Sequence, residues 1–82
     1  MATILPAQCR AGRALLDWTQ TKLATEAGVD AATVNAFERR RKNLTEDSLL
    51  RIRQALEAKG VIFLNSGSPG VRLSPDVVRS SR

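Results

Sequence analysis

The chain has 82 residues, with 13 Lys and Arg against 8 Asp and Glu; at that length it is one small domain whose folding buries only about 60 to 65% of the unfolded surface, a marginal core that a partner subunit would help. Cys9 is the single cysteine and there is no histidine, which excludes a disulfide framework, a zinc site of Cys and His ligands, and histidine-based catalysis. A net charge of +5 and a pI near 10.7 favour a polyanionic partner over a neutral metabolite.

The opening MATILPAQCR lacks a charged region leading into a long apolar core, and no apolar run in the chain approaches the length of a bilayer span. A cytoplasmic protein with no membrane contact is expected. Helix one is predicted over 5–17, with Leu5, Cys9, Leu15 and Leu16 and the small Ala11, Gly12 and Ala14 as its apolar stripe and Gln8, Arg10 and Arg13 outside. Pro6 suits a first turn, where its missing N–H costs nothing. Leu5 cannot cap the helix and Thr3 is the nearest hydroxyl. Trp18 reads as a lid over the core.

Thr19 is placed to cap a second helix over 20–27, burying Leu23, Ala24 and Ala27, and Gly28 stops it in the left-handed conformation. Val29 turns inward. Asp30 is expected to accept from the first N–H groups of a third helix over 31–39, whose buried face is Val34 and Phe37. A basic run, Arg39 to Lys42, follows at once. Thr45 caps a fourth helix over 46–59, with Glu46 and Asp47 in its first turn, Lys59 at its end, and Leu49, Leu50, Ile52, Ala55 and Leu56 as its core stripe. The β-branched and aromatic Val61 to Leu64 is a strand, Asn65 to Gly70 a turn, and 71–73 a second short strand. These elements make one domain over 1–73, and the polar, basic 74–82 is expected to be a flexible tail.

Two short helices meeting at a glycine turn, with the small Ala24 where they cross, form a helix-turn-helix. Gln20, Leu23, Ala24, Gly28, Val29, Thr33, Val34 and Glu38 at these spacings resemble the XRE family of helix-turn-helix regulators, the Cro and phage-repressor type. The resemblance spans helices one to four. It implies a mainly α fold, a four-helix lambda-repressor-like DNA-binding domain, followed here by a short C-terminal strand or hairpin. It also implies that double-stranded DNA is the partner, with the third helix in the major groove and the second across the backbone. Gln20 matches a phosphate-contacting position, and Arg13, Thr19, Lys22, Arg40, Arg41 and Lys42 are the further phosphate ligands expected of such a fold.

Base reading is expected from Ala31, Ala32, Thr33, Asn35, Ala36 and Arg39. Three of these are alanines where the family often carries glutamines, so bidentate adenine reading from them is excluded. Thymine methyl contacts, Asn35, Thr33, the arginines and DNA shape remain. The resemblance further implies that Arg13 pairs with Glu38 and holds the third helix against the first.

An apolar strand left as an edge invites pairing, so a homodimer through Val61, Ile62, Phe63 and Leu64 is expected, Phe63 either reaching into the other subunit or covering helix four of its own. The function implied is a dimeric, sequence-specific regulator, most simply a repressor on a near-palindromic operator in a bacterial or phage-infected cell. The alternative is an antitoxin-like module that binds a protein partner, with the tail as the contact. No cofactor and no metal are expected. With no paired acid and base and no phosphate-cradling glycine loop, the chain does not read as an enzyme.

Overall fold

A computed structural model describes residues 4–65 and 67–80 of the chain, and all that follows concerns those residues. In chain order they form α1 (Pro6–Leu16), α2 (Gln20–Ala27), α3 (Ala31–Glu38), α4 (Glu46–Glu57), β1 (Val61–Leu64), β2 (Gly70–Leu73) and α5 (Pro75–Ser80). The fold is mainly helical, a helix-turn-helix domain with a two-stranded antiparallel hairpin after its four longer helices.

One core joins these elements. Cys9 from α1, Leu23, Ala24 and Ala27 from α2, Val34 and Phe37 from α3, Ile52 and Leu56 from α4, and Val61 from β1 are buried together with Ile4. Gly12 lets α1 and α4 approach closely: a Cβ there would lie 3.3 Å from a Leu56 methyl and 3.6 Å from Val61. Trp18 packs half-buried on this core, with the Lys22 ammonium 5.7 Å from its ring centre.

The stripe expected on α1 is displaced. Leu5 and Leu15 are 44% and 37% exposed, while Gln8, expected outside, is 3% exposed. Gln8 is buried because it is fully used. Its Oε1 accepts from the Leu5 N–H at 2.9 Å, satisfying the donor of the residue at which the helix begins, and its amide nitrogen donates to Asn65 Oδ1 at 2.8 Å and the Gly70 carbonyl at 3.1 Å. Gln8 therefore fastens the hairpin to α1. In α4, Leu50 is likewise exposed while Ile52 and Leu56 carry the buried face.

Thr19 and Thr45 cap α2 and α4 through the N–H groups of Lys22 and Ser48. Asp30 makes no side-chain bond to the start of α3, so the expected cap is absent and its charge near the helix N-terminus is what remains of that role. Helices α1, α2 and α3 each end on a left-handed residue, Asp17, Gly28 and Arg40. At the end of α3 the Arg40 N–H meets Phe37 O and the Arg41 N–H meets Ala36 O, a Schellman closure with arginine where glycine is usual.

In the hairpin Val61 pairs with Leu73 and Phe63 with Val71, so these four share the face that packs on the core. Ile62 and Leu64 alternate onto the other face. Of the residues expected at a dimer contact, Val61 is 2% exposed within the chain and so belongs to its core, and Phe63 packs on the core with the Arg53 guanidinium of α4 5.5 Å from its ring, the second of the two placements expected for it. The segment expected to be a flexible tail is, over Pro75–Ser80, a short helix. Ser74 donates its N–H to Gly60 O at 2.7 Å, and Val77 sits so close on Gly60 that a Cβ there would lie 2.2 Å from a Val77 methyl. Residues 81–82 of that expected tail, Thr3, and position 66 of the expected turn lie outside the described residues.

Candidate nucleic-acid interface

The helix-turn-helix is α2, the turn Gly28 to Asp30, and α3. Gly28, at φ 73°, takes a conformation that costs an L-residue about 1 kcal/mol or more. Ala24 is 3% exposed at the crossing, and Leu23, Ala27, Val34 and Phe37 fill the space between the helices and the rest of the domain. The two helices are thereby held as one body.

Beneath them lies a polar network centred on Glu38, the last residue of α3, which is 2% exposed. Arg13 of α1 forks onto its carboxylate, Nε to Oε2 at 2.8 Å and an amine to Oε1 at 2.7 Å, and gives a further N–H to the Trp18 carbonyl at 3.0 Å. The expected Arg13 and Glu38 pair is present. Three partners were not anticipated. The Cys9 thiol donates to Glu38 Oε2 at 3.0 Å, and Arg10 donates to the Glu38 backbone carbonyl, satisfying an acceptor left free at the helix C-terminus. Gln20 adds a bond from its amide nitrogen to Glu38 Oε1 at 3.0 Å.

Burial by itself would raise the Glu38 carboxyl, but the hydrogen bonds of Arg13, Cys9 and Gln20 and the Arg13 charge outweigh it and hold the group below the ordinary carboxylate range. The same hydrogen bond raises Arg13 against the cost of its own burial. Burial first, then the bond to Glu38, pushes the Cys9 thiol well up, so this cysteine is a neutral donor and not a nucleophile.

The expected DNA contacts fall into two groups. Ala32, Arg39, Arg40, Arg41, Lys42, Thr19 and Lys22 are exposed; Ala31, Thr33, Asn35, Ala36, Gln20 and Arg13 are half-buried. Ala31 packs on the core, and Lys22 pairs with Glu26 at 3.2 Å. Asn35 and Gln20 are not independent groups, because Asn35 Nδ2 donates to Gln20 Oε1 at 3.0 Å. The structure thus joins a residue expected to read bases to one expected to hold phosphate. Among the described residues no three His, Cys, Asp or Glu side chains gather as a metal site would need, and no helix is long and apolar enough to cross a membrane.

The model of the helix-turn-helix family HTH_3, the XRE type, matches residues 10–61. The chain belongs to that family, and is a DNA-binding helix-turn-helix protein. No curated protein matches the chain closely.

Proposed function

We propose that the protein is a transcriptional regulator that binds a specific double-stranded DNA site as a homodimer, most simply a repressor occluding a promoter in the cytoplasm of a bacterial or phage-infected cell. In this reading α3 enters the major groove of a near-palindromic operator and α2 crosses the backbone. Thr33, Asn35, Ala36, Ala32 and Arg39 meet base edges, while Thr19, Gln20, Lys22, Arg13 and Arg40 to Lys42 meet phosphates. The observation that carries the reading is the locking of α3 from below by Glu38, with the exposed basic run leaving its end at once. A recognition helix needs that rigidity, since a side chain selects a base only if its backbone is held still.

Affinity for a duplex carrying the selected site should fall steeply with salt, by roughly a thousandfold between about 50 and 200 mM if six or more phosphates are neutralised per dimer. Replacing both Arg41 and Lys42 by Ala should reduce the slope by about two per subunit. A protein-binding module would instead show weak, salt-insensitive behaviour on every duplex, and that result would remove the regulator reading.

A further inference from the structure

The network beneath α3 has a direction. An ionised carboxylate only accepts hydrogen bonds, so the Gln20 amide must turn its nitrogen toward Glu38, which it does at 3.0 Å. Its oxygen is then the end that faces α3. Only a donor can meet that oxygen, so Asn35 must turn its own nitrogen to Gln20, again at 3.0 Å. The orientation of both amides follows from the fixed charge of Glu38, itself pinned by the Arg13 fork. Asn35 is left with its Oδ1 and the second hydrogen of Nδ2. The residues three and four before it on α3, Ala32 and Ala31, are its neighbours on the helix surface, and their methyl groups offer no rival polar atom.

We infer that Asn35, oriented through Gln20 by Glu38, presents a hydrogen-bond acceptor to the major groove and selects a base that carries an exocyclic amine there. Adenine fits best, since its N6 donates to Oδ1 while its N7 accepts the remaining Nδ2 hydrogen; cytosine offers the N4 amine alone. Guanine and thymine present oxygen at the same place and are rejected. Gln20 is a positioning residue for this choice, in addition to any phosphate contact through its own second amide hydrogen.

This inference rests on the DNA-regulator reading, and its test separates the two. Duplexes are selected from a random pool at physiological salt by the wild-type chain, Asn35→Ala and Gln20→Leu, with thermal melts confirming that each variant is folded. Wild type should yield a site with one adenine, or failing that cytosine, per half-site whose selection is lost in Asn35→Ala while the other positions stand. Exchanging that base for guanine or thymine should weaken wild-type binding on the order of tenfold and Asn35→Ala hardly at all. Gln20→Leu should bind the whole site more weakly, through loss of its phosphate contact, and should accept all four bases at that position, because Asn35 is freed to turn. An Asn35-dependent position that is guanine or thymine overturns the inference, as does a site unchanged by Asn35→Ala or an adenine preference undiminished in Gln20→Leu. Failure of wild type to enrich any sequence removes the regulator reading and this inference with it.

Discussion

At the scale of single residues, Glu38 organises the site. It is a buried carboxylate met by Arg13, Cys9 and Gln20, so deleting it strands a guanidinium, a thiol and an amide together. Glu38→Ala should cost about 3 kcal/mol, and Arg13→Ala with Glu38→Ala should cost less than Glu38→Ala alone, because the double change leaves no unpaired buried charge. Chemical denaturation of the four proteins of that cycle measures it; a thermally neutral Glu38→Ala would show that the pair contributes nothing. The lowered Glu38 pKa gives the sign of a pH effect. Its stabilisation is complete above the unfolded carboxylate value of about 4.3 and is lost as pH falls through the lower folded value. Melting temperatures of wild type and Glu38→Gln should therefore converge on acidification, and a gap that stays constant down to about pH 2 would contradict this. Arg13 could be matched to Glu38 through the family resemblance, but Cys9 and Arg10 could not be found that way, since a lone thiol and a surface-like arginine carry no pattern until α1 is laid against the end of α3.

At the scale of elements, glycines and caps mark most boundaries, and the departures have identifiable causes. Helix α4 ends at Glu57 and gives way to a turn through Gly60, two residues earlier than its terminal Lys59 suggests. Asp17 and Arg40 end their helices in the left-handed region without being glycine, which is why α1 and α3 each read one residue too far at the C-terminal end. The last helix had local signals, Ser74 before Pro75 and Asp76, that agree with an N-cap and first turn; a polar composition concealed them. What holds it is Gly60, at φ 100° with Val77 against it. Gly60→Ala should be destabilising by about 2 kcal/mol or more, combining left-handed strain with a collision that must displace α5. Amide hydrogen exchange should show α5 losing protection first, and unchanged protection there would mean that Val77 does not anchor it.

At the scale of the whole molecule, the core accounts for a folded chain and leaves the outer face of the hairpin uncovered, where the proposed dimer would pair. Leu64 is 41% exposed there, next to Ile62 and away from the core-facing Val61 and Phe63. If the proposed dimer forms by strand pairing, sedimentation at micromolar concentration should give a species of twice 8.9 kDa, and Leu64→Asp should return it to the monomer without unfolding it. Two recognition helices would then lie about 34 Å apart, one turn of DNA. A wild-type chain that stays monomeric at those concentrations removes the dimer and with it the palindromic operator.

The helix-turn-helix and its family were legible in the sequence alone, because they rest on short-range requirements: a small residue at a crossing, glycine in a left-handed turn, and apolar residues at helical spacing. The basic run and the lack of histidine were equally plain. Only the tertiary structure decided that Gln8 is an interior latch for the hairpin, that Val61 and Phe63 belong to their own core, and that Gln20 and Asn35 are one hydrogen-bonded unit under the control of Glu38. These are contacts between groups up to 62 residues apart along the chain, and a polar side chain reads the same in sequence whether it meets water or the one partner that satisfies it.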